Sequence, residues 1–417
     1  MKVFHFPFTP TATAARPLAG QVAAGDVVIV TLDRTVREQV KQIIRKQFGE
    51  KTDATADLLA LTDRFKESAP FPEYVAYVGK VVGRMEVFLY EGMTLQMQGN
   101  DFLHYLSAMV TELAARAVGA NIPGSQVFDG RSLILSSKDG IEREASEERL
   151  KGLPADAVSV VAGGFGLGQA GETMTLRRTG SEVMAGMVAA VRDAEELVFL
   201  VDGYTPEAKA TLTYEEAAQR FAAGHPVFPP ALYPASRTGI PVVLEGMDGT
   251  RLLTIQGQVE DVRKDGIAGV ICSEEMELYT VFGTGLLGTI GVASSIFGAL
   301  AEAGVNIHFI SQALSEYSIT FAVSSHQTEK AEKALKKIIA ASTSPDLYFD
   351  RCAVAVLSVY GSQMQNRPGV SGKVFGALGA AGVNILASSQ GGEQLSISIV
   401  VAASDAAAAQ KALEQLV

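Results

Sequence analysis

The distribution of apolar positions divides the chain into elements before any single residue does. Val3-Phe4-His5-Phe6 and residues 26–30 are unbroken apolar runs, the pattern of strands buried on both faces. Pro7-Phe8-Thr9-Pro10 reads as the loop leaving the first of them. Residues 35–48 and 52–68 carry apolar side chains at helical spacing and read as amphipathic helices with solvated outer faces. Residues 158–166, VSVVAGGFG, read as a strand ending in glycines. Residues 173–190 read as a strand, a tight turn and a helix capped by Ser181. Gly164, Gly166 and Gly168 form no dinucleotide fingerprint, because a strand follows where a helix would be required. Residues 135–156 hold a Lys-Asp-Gly turn and an acidic, exposed helix, whereas Met93, Met97, Met109, Met184 and Met187 read as core filler.

The strongest pattern is a duplication. GVASSIFGALAEAGVNIHFISQ starts at Gly291 and GVSGKVFGALGAAGVNILASSQ at Gly369, in register at an offset of 78. Each copy has a strand (276–282 or 352–360), a Gly-containing loop and a helix with apolar residues at helical spacing, such as Val292, Ile296 and Leu300. Gly304 or Gly382 ends that helix as a left-handed cap, and two strands and a second helix (328–341 or 405–416) follow. The unit is βαββα, and one further strand would make it ferredoxin-like.

Composition narrows the function classes. With 47% apolar and 19% charged residues over 417 positions, the chain is expected to fold into two or three domains. A net charge of −11 argues against nucleic acid or an anionic membrane as partner. Apolar stretches are too short for a transmembrane helix, and no secretory signal is read at the N-terminus, so a cytoplasmic location is expected. The two cysteines, Cys272 and Cys352, are expected as buried free thiols. The five histidines are scattered, and no metal site is expected from them.

These repeats resemble ACT domains, modules that bind amino acids at paired interfaces. ISQALSEYSI (310–319) is similar to the regulatory region of aspartokinases. The resemblance implies an effector site built from Thr289, Gly291, Val292 and Ala293 at the helix start, with Asn306, Ile307, Gln312 and Gln390 on the neighbouring strands. The helix start offers N–H groups to a carboxylate, and the amides offer oxygens to an ammonium. Lysine-selective relatives commonly carry an acid where this chain has His308, so threonine or another small amino acid is expected over lysine. The family usually dimerises through this region, which implies a homodimer or a hetero-oligomer with an intact aspartokinase.

The resemblance continues upstream through 173–190 and 212–244, where the motifs degenerate. Aspartokinases begin with a strand leading into Lys-Phe-Gly-Gly, whose lysine and glycines hold the nucleotide phosphates. In that register His5 replaces the lysine, and Pro7 and Phe8 replace the glycines. His5 is mostly neutral at pH 7, Pro7 has no N–H, and Phe8 would fill space that phosphates need. The family's nucleotide strand places Thr-Asp before Val-Asp-Gly. Here Phe199-Leu200 precede Val201, Asp202, Gly203 and Tyr204. The following Ala-Asp-Pro-Arg has no counterpart, and two further cationic positions fall on Pro226 and Ala231. On the substrate side, a family Gly-Glu falls on Leu103-His104, Arg178 keeps the carboxylate-binding arginine, Ser181 is kept, and the next acid becomes Glu182. Arg177 and Arg178 read equally as two solvated arginines beside an ordinary helix start.

The expected fold is an amino-acid-kinase-like three-layer αβα sandwich over 1–255, followed by a tandem ACT region over 256–417, with both sheets in one layer. The expected function is an impaired aspartokinase relative that senses an amino acid. Two alternatives stay open: an active aspartate kinase with a rebuilt nucleotide site, or different chemistry on an amino-acid-like carboxylate at Arg178. The sequence requires no cofactor, and magnesium-ATP enters only with the active-kinase reading.

Overall fold

The computed structural model describes the chain except residues 12–17, 19, 96–98, 138–139, 177–178, 206–210, 222–226, 228, 258–265, 287–289, 315–316, 342–345 and 362–363, with backbone alone at 91–95, 99–101 and 285. It divides into two units, Met1–Val259 and Glu260–Val417. Among the described residues, no helix is long and apolar enough to cross a membrane.

The first unit is built on β1 (Lys2–Phe8), β2 (Val27–Leu32), β3 (Gln126–Asp129), β4 (Ser159–Ala162), β5 (Glu196–Val201), β6 (Thr211–Thr213), β7 (Val242–Gly246) and β8 (Arg251–Gln256). They form one sheet in the order β6-β8-β7-β5-β1-β2-β4-β3, parallel except between β7 and β8. Alternation along each strand sends side chains to opposite faces. Phe4, Phe6, Phe8, Val28, Val30 and Leu32 join one core with the helices α1 (Arg34–Ile44), Thr55–Ser68 and α2 (Gly99–Ala120). Val3, Val27, Ile29, Leu197 and Phe199 join a second core with α3 (Gly180–Val191) and the helix Pro229–Thr238. Three layers follow directly: helices, sheet, helices.

This arrangement corrects the reading of the N-terminal loop. β1 runs on through Pro7 and Phe8, paired with Thr31 and Leu32. Its other neighbour, β5, stops pairing at His5, and a strand end tolerates a residue without an N–H. Phe8 fills no pocket; it is fully buried on the face of Phe4 and Phe6, with its ring 5.8 Å from that of Phe65. The helices expected over 35–48 and 52–68 are Arg34–Ile44, extended by a π-turn at Arg45–Gly49, and Thr55–Ser68. Met109, Met184 and Met187 are buried, as core filler should be.

The second unit holds one antiparallel sheet of β9 (Gly269–Phe282), β10 (Ile307–Gln312), β11 (Ser318–Ser324), β12 (Tyr348–Tyr360), β13 (Ile385–Gln390) and β14 (Ser396–Ala402). The order is β10-β11-β9-β12-β14-β13. β9 and β12 are longer than the repeat pattern suggests, because each serves both copies. The second half of β9 pairs with β11 and with the start of β12, which completes the first copy. The end of β12 pairs with β14 and with residues 269–273, so the start of β9 completes the second copy. A register shift between Ser273 and Met276, with Glu275 at φ 56°, separates the two halves of β9. The first copy is thus inserted into the second, and each gains the strand that makes it ferredoxin-like.

Each copy has its own core, one around Tyr279, Leu300 and Phe321 and the other around Leu357, Leu378 and Ile399. Met276, Leu278, Phe309, Ala322, Val354 and Val400 form a further cluster on the sheet's other face. The sheet curls over that cluster until its edges approach, where Ser311 Oγ donates to the Ser388 carbonyl at 3.3 Å. Cys272 and Cys352 are free thiols, but neither is buried: Cys272 is half-buried and Cys352 exposed.

The interlock depends on close backbone crossing at Gly361. A Cβ built there would lie 2.0 Å from the Gly266 carbonyl oxygen and 2.8 Å from the Ala268 nitrogen. Gly361→Ala is expected to destabilise this unit by about 1–3 kcal/mol. Gly298→Ala, inside the helix Val292–Glu302 with open space around it, should instead stabilise by roughly 0.5–1 kcal/mol. Urea unfolding of both variants checks the pair, and equal effects would remove the crossing from the argument.

Candidate functional site

Parallel strands β1, β2, β4 and β5 all end at one edge of the sheet, the place where open α/β sheets bind ligands. A cavity of about 350 Å³ opens there, within the size range of small-molecule sites. Its floor is the Gly163-Gly164 turn after β4, and its walls come from α1, α2 and the start of α3.

Each wall has a local cause. Asp33 caps α1 by accepting from the Val36 N–H at 2.7 Å, a contact worth about 1 kcal/mol. α1 buries Val36, Val40, Ile43 and Ile44, while Arg37 and Lys41, four residues apart, share a face and line the cavity. On α2, His104, Ser107 and Thr111 follow at intervals of three and four and line it together. His104 Nε2 lies 3.4 Å from Thr175 Oγ1 on the hairpin Phe165–Leu167/Thr173–Thr175. Two glycines let α3 approach the sheet. A Cβ on Gly163 would come within 2.5 Å of Ile29 and 3.2 Å of Ser181 Cβ, and Gly164 has φ +91°.

Beneath this floor lies His5. It is 7% exposed, its ring centroid is 5.2 Å from that of Phe199, and its Nε2 is 3.1 Å from Ser181 Oγ. Burial, seconded by the charge of Arg37, pulls its pKa from 6.5 down to about 3. The imidazole is therefore neutral at pH 7. Ser181 is not the helix cap that the sequence suggests: Thr179 holds that position, and the Ser181 hydroxyl turns to His5.

The remaining expected site residues separate. His104 and Ser181 meet in the cavity. Pro7 and Phe8 do not line it, and Glu182 is half-buried in the first turn of α3. Asp202 and Gly203 are exposed beyond the end of β5, and Tyr204 is half-buried, its hydroxyl 3.5 Å from an Arg220 nitrogen; none lines the cavity. Arg178, with Arg177, lies outside the described residues, as does Thr289. Ala231 is buried in a helix, and Pro226 lies outside the described residues.

In the second unit, Gly291 and Gly369 occupy equivalent left-handed positions, φ +92° and +93°, before their helices. Val292, Ala293 and Ile307 are half-buried. Asn306 Nδ2 lies 3.2 Å from His308 Nε2, and Gln312 is exposed at the end of β10. Gln390, its counterpart, lies 3.5 Å from Ser371 Oγ. Burial and the neighbouring His326 push the His308 pKa down.

Thr31, Arg37, Lys41, Ser107, Thr111 and Thr175 went unremarked in the sequence. The i,i+4 spacing of Arg37 and Lys41 just after a parallel strand was the available signal, as was His104-x-x-Ser107-x-x-x-Thr111 on one helix face.

The fold and site define a class: a three-layer amino-acid-kinase-like domain followed by a tandem ACT region. An ACT-domain family model matches 280–338 and 357–416. A chloroplastic bifunctional aspartokinase/homoserine dehydrogenase from Daucus carota is 31% identical over 264 residues, covering 57% of this chain and 28% of that protein. The bifunctional enzyme of Haemophilus influenzae is 30% identical over 300 residues, covering 67% of this chain and 36% of that one. The chain therefore spans roughly a third of these relatives' length. Escherichia coli aspartokinase III, solved in complex with lysine and aspartate, shares the fold over 100% of this chain and 98% of its own, at TM-score 0.77 and 18% identity. The chain belongs to the aspartokinase family, with ACT domains at its C-terminus.

The buried imidazole makes a pH prediction. With its folded pKa near 3 and its unfolded value near 6.5, the unfolded chain binds the extra proton between them. The stability from a neutral His5 is whole above pH 6.5 and is lost as pH falls toward 3. His5→Gln should flatten that decline, measured by urea unfolding across the window. Parallel profiles for the two proteins would mean that His5 titrates as in water.

Proposed function

We propose that this chain is an aspartokinase-family protein that has lost phosphoryl transfer and retains amino-acid sensing through its ACT region. The observation that carries the proposal is His5. Phosphoryl transfer depends on fixed positive charge against the transferring phosphate. At the register where the resemblance expects the phosphate-binding lysine, β1 carries a buried, neutral imidazole already satisfied by Ser181. Pro7 and Phe8 supply no glycine-like loop there, because both belong to the strand.

The sensing half of the reading rests on the ACT match and on the two equivalent helix starts. His308, exposed and with its pKa held down, offers no negative charge to a lysine ammonium, which favours threonine or another small amino acid as effector. Assembly as a homodimer through this region, or with an intact aspartokinase, follows from the family likeness.

Thermal-shift titration with magnesium-ATP, threonine and lysine tests the reading, beside hydroxylamine trapping of an acyl phosphate from aspartate. We expect no response to nucleotide, no hydroxamate, and a rise in Tm with threonine that Gln312→Ala abolishes. Nucleotide-dependent stabilisation together with a hydroxamate would instead select an active aspartate kinase with a rebuilt phosphate site.

A further inference from the structure

The cavity at the sheet's edge is cationic in a chain that is acidic overall. Arg37 and Lys41 reach it from α1, His104 and Ser107 from α2, and Ser181 from the start of α3. Among the described residues lining it there is no aspartate or glutamate. The chain as a whole carries 46 acidic residues against 35 basic ones, so the wall runs against its average.

One of the two cations, Arg37, is left without a carboxylate partner among the described residues. Lys41 pairs with Glu38 at 2.6 Å, on the exposed side of α1. Arg37 spends its Nε on the Asp33 carbonyl at 3.3 Å. The α3 start adds the positive end of a helix dipole. The Thr175 hydroxyl adds a neutral donor at the cavity wall, while the Ser181 hydroxyl is engaged with His5.

Such a wall discriminates by charge. A carboxylate or phosphate gains charge-assisted hydrogen bonds from it. An ammonium meets no anion, stands near two cations, and costs free energy to desolvate without a partner. We propose that this cavity binds a small doubly charged oxyanion that carries no ammonium group. The ligand is therefore not an amino acid. The inference rests on the reading that phosphoryl transfer to aspartate has been lost, and it gives the old catalytic edge a separate ligand from the ACT region.

Isothermal titration of the full chain with succinate, aspartate and inorganic phosphate tests it; succinate is aspartate without its ammonium. We expect succinate or phosphate to bind more tightly than aspartate, the better of the two naming carboxylate or phosphate as the anion. Arg37→Gln should weaken that binding by about tenfold or more. An unchanged melting curve identifies the variant as folded. Aspartate binding more tightly than both anions, no binding of either anion, or anion affinity unchanged in folded Arg37→Gln would each overturn the inference. Magnesium-ATP binding would sink the lost-kinase reading on its own, and aspartate preference without nucleotide binding would sink this one alone.

Discussion

The hydrogen bond between His5 and Ser181 sets the character of the edge where the parallel strands end. It joins the central strand of an eight-stranded sheet to the first turn of a helix 176 residues further along, between two buried side chains. A charge there needs a counter-charge, because an unpaired buried ion costs several kcal/mol. A lysine at this position would hold the site open for an anion. A neutral imidazole needs no counter-charge, and Ser181 Oγ partners its Nε2. Its ring also packs against that of Phe199, with 5.2 Å between centroids.

Positive charge at this edge comes from a helix instead of from the strand. Strand β1 contributes none to the cavity, while Arg37 and Lys41 supply it from α1. The position of α1 follows from the Asp33 cap and from Val36 and Val40 packing onto the outer face of β2. The two cations share a face because they are four residues apart. Both side chains are exposed. On the proposal above, such a site takes a small soluble anion.

Much of this architecture is legible in the sequence, and the failures have specific causes. The repeat is legible because the same helix starts, Gly291 and Gly369, recur at fixed spacing. The insertion of one copy into the other is not, because pairing of 269–273 with the end of β12 spans some 85 positions and leaves no local pattern. Proline and two buried faces hid the end of β1: neither an alternating pattern nor a turn residue marks where it stops, and only the shared face of Phe4, Phe6 and Phe8 does. Ser181 was misread because a cap assignment weighs neighbours in sequence, while its hydroxyl is claimed by a distant residue. Arg37 and Lys41 looked like a solvated helix face, and they are; the crossing of α2 turns that face into a wall.

The regulatory unit is constrained by its shared strands. β9 and β12 run through both copies, so neither copy can change register independently. A one-residue slip in either would send every later side chain to the opposite face, exchanging the cores around Tyr279 and Leu357 with the cluster around Met276. Conformational change in this unit is left to the edges and the helices. β10 and β13 are the two edge strands, and they carry Gln312 and Gln390 at matching ends. They meet through Ser311 Oγ and the Ser388 carbonyl, a contact outside either ladder. Side chains of the sheet centre hold the two copies as one body, while that seam involves a hydroxyl and a carbonyl that water can satisfy equally well. An amino acid bound beside Gln312 would therefore act first on the seam, at little cost to the cores behind it.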